Sequence, residues 1–250
     1  MLKLMKYELR KQAFSKLIIL IVAMLGELIF FTGLILDHQN TMGLAIGLLS
    51  MFTMGAMFFI AFESIITYHN DLKQKQSYML FLTPRSTYSI VGAKVISSGL
   101  QIILAGLGFA LIFAVDGAAL LARYSSIKEI RDLIRHFFSM QYNIDIDSKL
   151  VILVILSLLI SWISTITLAY FSITLSTTFL ADKKGKGFIS FLIFILLEFV
   201  IAKLADLITG IPNLSRSEGD VLLLSIVFYA VMTAVTYLAT AWMLDKKVSV

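Results

Sequence analysis

The residues of this sequence that most need a chemical explanation are acidic side chains within long apolar runs. Glu27, Glu63 and Glu198 each lie inside such a run, and Lys203 and Asp206 follow Glu198 within about two helical turns. A charged group in hydrocarbon costs about 2.5–3.5 kcal/mol on insertion scales, so such groups usually face a protein interior or a water-filled cavity. Glu27 and Glu198 are therefore candidates for a path that carries a cationic or amphipathic cargo. The alternative is that these acids are protonated or pair internally, as Glu198 could with Lys203.

Small and hydroxylated residues recur at helical spacing in two further runs. Gly43, Gly47 and Gly55 share one helical face, and a second face carries serines, at positions Ser157, Ser161, Ser164 and Ser172. Such faces let helices approach closely in membranes, which makes helix packing their simplest role. Ser161 and Ser164 are also candidates to line a polar path.

The sequence contains no recognisable catalytic motif. It lacks the G-x-x-x-x-G-K-[ST] phosphate-binding loop, G-x-S-x-G and H-E-x-x-H. The three histidines, His38, His69 and His136, fall in different connections, so paired haem or zinc ligation inside a bundle is not expected. We predict no catalytic residue, no metal site and no cofactor bound by this chain.

The composition predicts an all-α integral membrane protein that forms a single domain over residues 1–250. Hydrophobic residues make up 59% of the chain and charged residues 15%, whereas soluble proteins are near half apolar and a quarter charged. About 20 apolar residues are needed to cross a bilayer as a helix. Lipid offers no hydrogen-bond partner to the backbone, so each span has to pair its own N–H and C=O groups, as a helix does. Six runs qualify as spans, at about 17–36, 43–67, 88–115, 150–180, 188–209 and 220–244.

The basic residues predict the orientation. In a six-span arrangement, 14 of the 21 lysines and arginines fall at one side, within the N-terminal segment, the connections after the second and fourth spans, and the C-terminal tail. The 116–149 connection on the other side carries five basic and five acidic residues. The positive-inside rule then places both termini in the cytoplasm. Asp37 and His38, instead of a small-residue cleavage site, follow the first run, so we expect that span to be retained.

Two segments outside the spans have amphipathic patterns. In residues 1–16, Leu2, Met5 and Leu9 lie opposite several cations, which predicts an interfacial helix; a solvated leader is the alternative. In the extracellular 116–149 segment, Ser126 and Glu129 form a capping box before apolar residues at helical spacing. We expect an amphipathic helix at about 126–140, which either packs on the spans or closes over the exit of a path.

The connection after the second span predicts a third such element, a cytoplasmic helix over residues 70–83. Its first half is polar and its second half is apolar. Pro84 ends it because the residue before a proline avoids the helical conformation, and Ser86 or Thr87 can then cap the third span. The product is a helix that is anchored at its apolar end and presents charge to the cytosol.

Residues 77–86 of this connection, SYMLFLTPRS, resemble the motif between spans two and three of ABC-2 type transporter permeases, with Ile90 and Lys94 at the matching later positions. Thr83, Arg85 and Thr87 depart from the usual residues, and Arg85 can supply the displaced cation. The resemblance also covers the topology of the whole chain: an interfacial N-terminal helix, six spans and cytoplasmic termini.

The resemblance implies that the 70–83 helix couples the permease to a separate ABC ATP-binding subunit, which would hold ATP and magnesium. The residues implied in that coupling are Asp71, Lys73, Lys75, Tyr78, Phe81, Pro84 and Arg85. It further implies a homodimer in the bacterial cytoplasmic membrane and export of a peptide or hydrophobic small molecule, as in the permeases that export phenol-soluble modulins. No nucleic-acid partner is expected. Two other classes stay open: a proton-coupled secondary carrier that uses Glu27 and Glu198, and a non-transporting immunity or scaffold protein.

Overall fold

The fold, given by a computed structural model, is built from helices. The structure describes residues 1–73, 86–124, 148–179, 186–211 and 217–246, with the backbone alone at positions 39, 73, 124, 148 and 186. These ranges contain no strand. Their seven helices are α1 (Leu2–Lys11), α2 (Ala13–Ile35), α3 (Gln39–Lys73), α4 (Thr87–Tyr124), α5 (Ser148–Phe179), α6 (Lys186–Thr209) and α7 (Glu218–Lys246).

Helices α2 to α7 are each long and apolar enough to cross a membrane. A helix satisfies its backbone hydrogen bonds internally, which is what a hydrocarbon solvent requires. The expected all-α, multi-pass architecture is therefore confirmed at this level. The interfacial position of α1 and the side of the membrane on which each connection lies stay predictions.

The helix ends differ from the sequence expectation in three places. Helix α3 runs without a break from Gln39 to Lys73 and not from about 43 to 67, so residues 70–73 continue this helix and do not begin a separate one. The N-terminal helix stops at Lys11, and after Gln12 the chain continues directly into α2, so residues 13–16 belong to the first long helix. Helix α4 continues to Tyr124 and not to about 115, because the alanine- and leucine-rich residues after Asp116 favour helix. Asp116 accordingly lies within a helix and not in a connection.

Serines cap the first turns of α4 and α7, and Ser86 is one of the two residues predicted to cap the third span. The Ser86 hydroxyl accepts a hydrogen bond from the Ser89 N–H (3.3 Å) at the start of α4. At the start of α7, the Asp220 N–H donates to the Ser217 hydroxyl (3.2 Å) and the Ser217 N–H donates to the Asp220 carboxylate (3.0 Å). These reciprocal bonds satisfy donors that the first turn of a helix leaves unpaired.

The residues group into two compact units. One unit comprises residues 12–59 and 102–151 and contains the turn between α2 and α3. Asp37 adopts a left-handed conformation (φ 56°), and the His38 N–H donates to the Gly33 carbonyl (3.0 Å), which closes the end of α2. The apolar core of this unit joins three helices through Ala23, Ala56 and Phe109.

The other unit comprises residues 1–11, 60–101 and 152–250. Helix α7 packs on the start of α4 through Val91, Ala241 and Leu244, and α6 packs against α7. The Tyr237 hydroxyl donates to the Tyr88 carbonyl at 2.9 Å, which adds a polar contact to the same helix pair. Many of the remaining contacts between its helices are also made by hydroxyl groups.

Several expected elements lie outside the described residues. These are most of the 70–83 helix, the 126–140 helix, and the basic connection between α5 and α6. Their helical character and their roles stay predictions.

Candidate functional site

Lys94 is the centre of a buried ion cluster that joins three helices. Its ammonium group lies 2.6 Å from the Glu8 carboxylate of α1 and also donates to the Asp71 carboxylate near the end of α3. Lys11 of α1 pairs with the second oxygen of Asp71. Lys94 and Glu8 are only 4% and 5% exposed. Two cations and two anions thus neutralise one another in a place where an unpaired charge would be costly.

This cluster joins the helices on either side of the 74–85 connection. Asp71 lies just before the 74–85 connection and Lys94 lies eight residues into α4, so the two ends of that connection are joined by an ion pair. Glu8 adds α1 to the same joint. The resemblance implies a coupling role for Asp71 and a motif position for Lys94, but no local sequence pattern connects either residue to Glu8.

A buried hydroxyl cluster continues from Lys94 toward α5. The Ser98 hydroxyl donates to the Lys94 carbonyl (2.7 Å) and also bonds the Ser64 hydroxyl. The Tyr170 hydroxyl shares hydrogen bonds with Ser64 (2.6 Å) and Ser98 (3.1 Å). Side chains from α3, α4 and α5 therefore satisfy one another without a charged group.

Tyr68 adds a second layer to this hydroxyl cluster. Its ring stacks on that of Tyr170 with centroids 4.1 Å apart, and its hydroxyl bonds that of Thr174 (2.6 Å). Tyr68 and Tyr170 are both almost completely buried. A satisfied polar network of this kind favours one arrangement of the helices over others.

Glu198, one of the candidate path residues, is held by a hydroxyl and not by a cation. The Thr165 hydroxyl donates to its carboxylate at 3.1 Å. Lys203 pairs with Asp206 instead, at 3.8 Å, which is the pairing that their spacing allowed. The alternative in which Lys203 neutralises Glu198 is therefore wrong.

The serine candidates differ in exposure. Ser164 is buried, while Ser161 is partly exposed and its hydroxyl donates to the Leu158 carbonyl of its own helix (2.9 Å). A hydroxyl bonded to its own helix is the usual solution for a serine in an apolar environment. Their helix also supplies Thr167, whose hydroxyl accepts from Thr236 of α7 at 3.1 Å.

Glu27, the other acidic candidate, lies against a second acid, Asp116 of α4. Asp116 is only 4% exposed. Within the described residues, no hydrogen-bond partner reaches Glu27 Oε1 or either carboxyl oxygen of Asp116. The sequence does not predict this pair, because Asp116 is expected in the 116–149 connection and lies instead within α4. A single aspartate directly after a predicted span gives no indication of its partner.

A cleft of about 220 Å³ opens among α3, α5 and α6. Apolar side chains dominate its lining, with His69 and Ser190 as the polar members. Gly187 lies beside the His69 ring, where an added Cβ would be 3.8 Å from the ring. The cleft can accept an apolar group, and no residue in it was predicted as a site.

The other predicted coupling residues, Lys75, Tyr78, Phe81, Pro84 and Arg85, lie outside the described residues, as does the side chain of Lys73. No group of three or more metal-binding side chains occurs in the described ranges.

No family model matches the sequence, and no curated protein or solved structure matches it either.

Proposed function

We propose that this protein is the transmembrane subunit of an ATP-driven ABC exporter of a bacterial cytoplasmic membrane. Two copies form the path for an amphipathic or hydrophobic substrate, with a cationic peptide as the best candidate. A separate subunit binds ATP and magnesium and hydrolyses the nucleotide. Six helices long enough to span a membrane are compatible with this role.

The ion cluster around Lys94 is the observation that carries the proposal. A helix that receives force from a motor protein has to transmit it to the spans without bending at its ends. The contacts of Lys94 with Asp71 and Glu8 join both ends of the 74–85 connection to α1. Burial strengthens these contacts, because a buried ion pair is screened less than an exposed one.

The proposed coupling surface is the 70–83 helix. Its cations, Lys73 and Lys75, contact the ATP-binding subunit, and Tyr78 and Phe81 supply apolar contacts. Pro84 and Arg85, which belong to the same motif, complete the proposed surface. Closure of the nucleotide-bound motor then displaces α3, α4 and α1 together through the Lys94 cluster.

One face of α3 is the proposed contact with the second permease copy. Within the described residues, a Cβ added at Gly43, Gly47 or Gly55 would meet no atom within 4 Å. The close approach that these glycines permit is therefore available to another chain. We place the interface between the two permease copies at this face.

Co-purification tests the coupling. The full chain with an affinity tag is purified from its native membrane in mild detergent, and bound P-loop protein and ATPase activity are measured. We expect the double substitution Lys73→Glu with Lys75→Glu to release the ATP-binding subunit. The matched control, Lys183→Glu with Lys184→Glu, reverses the same charge in the connection between α5 and α6 and should retain the complex.

Two results would count against the proposal. One is a permease that never co-purifies with an ATP-binding subunit. The other is a charge-reversed variant of Lys73 and Lys75 whose complex stays intact and fully active. Expression and membrane insertion of each variant are checked by its yield and by its elution as a single species.

A proton-coupled carrier is the second candidate, and the Glu27–Asp116 pair favours it. Neighbouring acids in membrane helices are typical of proton relays. In proteoliposomes without ATP, a proton gradient alone would then drive transport, and Glu27→Gln or Glu198→Gln would abolish it. Transport that needs both ATP and the partner subunit would exclude this candidate.

A further inference from the structure

The Glu27–Asp116 pair leaves acceptors without donors in an apolar part of the protein. Ala23 and Ile112 lie one turn before Glu27 and Asp116 on their helices and belong to one apolar cluster. That cluster also contains Phe109, whose ring packs edge-on against Phe52 with centroids 6.3 Å apart. Water has little room to solvate the carboxyl groups from this side.

In the described part of this unit, no charged residue besides this pair lies near the middle of α2, where Glu27 is found. The remaining charged residues in its described part lie toward helix ends, at Lys16, Asp37, His38, Arg123 and Lys149. Each carboxyl of the pair is the charged neighbour of the other. Two such acids repel each other, so they are stable together only with a proton or another cation between them.

The number of unpartnered oxygens indicates which cation fits. Glu27 Oε1, Asp116 Oδ1 and Asp116 Oδ2 are buried without a hydrogen-bond partner in the described ranges. A primary ammonium group has three N–H donors and no acceptor, which matches three acceptor oxygens. A shared proton would supply one donor, and a quaternary ammonium would supply charge without any donor.

We propose that Glu27 and Asp116 together form a binding site for a primary ammonium group. The ligand displaces the shared proton and donates one hydrogen bond to each of the three unpartnered oxygens. This deepens the proposed function, on which its role in export rests, by naming the chemical group that the path recognises. A peptide supplies such a group on a lysine side chain or its N-terminus, and a lipid supplies one in an ethanolamine headgroup.

Calorimetry on the purified full chain tests the site without any ATPase partner. The chain is reconstituted in phosphatidylcholine nanodiscs and titrated with octylammonium and with octyltrimethylammonium, and empty discs give the background. Octylammonium can donate charge-assisted hydrogen bonds and octyltrimethylammonium cannot. We therefore expect octylammonium to bind at least about tenfold more tightly than octyltrimethylammonium. Titration in two buffers of different ionisation enthalpy should show a proton released on binding.

The variant Glu27→Gln with Asp116→Asn should lose this preference between the probes. The matched control is Asp206→Asn, which neutralises an exposed carboxylate in α6 and should bind like the wild type. Thermal unfolding shows whether each variant is folded. If the double variant does not fold, the probe preference and the proton release of the wild type decide the question alone.

The proposal is overturned if octylammonium does not bind, if both probes bind equally to the wild type, or if the folded double variant keeps the preference. Nanodiscs that contain phosphatidylethanolamine distinguish the two sources of the group. Weaker octylammonium binding in those discs indicates that the lipid headgroup occupies the site, and unchanged binding indicates a soluble amine such as a peptide. None of these results depends on whether an ATP-binding subunit associates, so this proposal and the exporter proposal can fail separately.

Discussion

The ammonium group of Lys94 and the carboxylate of Glu8 lie 2.6 Å apart although 86 residues separate them in the chain. Both side chains are buried, and Asp71 completes the neutralisation of Lys94. The N-terminal helix is thus joined to α3 and α4 by charge. The stability of the protein should depend on this lysine more than on any exposed cation of α1.

Substitution of Lys94 by Met should destabilise the protein strongly. It leaves Glu8 buried without a cation and Asp71 with Lys11 alone, and removal of one partner from a buried ion pair costs about 3–5 kcal/mol. An unfolding titration in mixed micelles measures the free energy of unfolding. The control is Lys6→Met, which removes an exposed lysine of α1. Equal stability of the two variants would contradict the structural role of the cluster.

Substitution of Tyr170 by Phe should have a smaller effect. The stacking on Tyr68 is retained, and Ser64 and Ser98 keep the hydrogen bond between them. We therefore expect a loss of about 0.6 kcal/mol and at most about 1.7 kcal/mol, the average and the maximum measured for hydrogen bonds between membrane helices. Tyr7→Phe, at an exposed tyrosine, is the control and should leave the free energy of unfolding unchanged. A Tyr170 variant as stable as this control would show that the hydroxyl cluster adds nothing.

Two glycines should respond in opposite directions to alanine. A Cβ at Gly33 would lie 3.0 Å from the Met42 backbone nitrogen, which cannot move aside cheaply, so Gly33→Ala should destabilise the protein. A Cβ at Gly108 of α4 meets open space, so Gly108→Ala should stabilise its helix by up to about 1 kcal/mol. The same titration measures both free energies of unfolding. A Gly33 variant at least as stable as the wild type would disprove the close approach at the α2–α3 turn.

The proposed interface between two copies gives a separate prediction. Gly43→Leu with Gly47→Leu should weaken self-association, because bulky side chains prevent the close backbone approach that glycines allow. Crosslinking and fluorescence energy transfer between labelled copies in nanodiscs or vesicles measure the association. Gly108→Leu is the control, since Gly108 of α4 also has open space around it. If both variants associate equally, the second copy does not use this face of α3.

Much of the architecture could be predicted from local pattern alone. The six spans follow from apolar length, and the helix starts at Ser86 and Ser217 follow from the preference of serine for N-caps. The Lys203–Asp206 pair follows from spacing along one helix. Each of these depends on residues close together in sequence, where the geometry of a helix determines which side chains meet.

The contacts that matter most for the site could not be predicted in this way. Glu8 lies among lysines and an arginine in α1, and no local pattern distinguishes it as the residue that turns inward. Asp116 looked like the end of a span, because a charge after an apolar run usually marks one. In both cases the partner is far away in the chain, so the pairing depends on how the helices pack and not on their periodicity.

The distance in sequence between Glu8 and Lys94 also imposes an order on assembly. During synthesis Glu8 is made 86 residues before its buried partner, so this ion pair cannot form until α4 has been made. In a growing chain that has completed only α2 and α3, Glu8 still lacks the lysine that neutralises it in the folded protein. The N-terminal helix is thus the first element to be made, but its buried ion pair is completed only after Lys94 of α4 has been made.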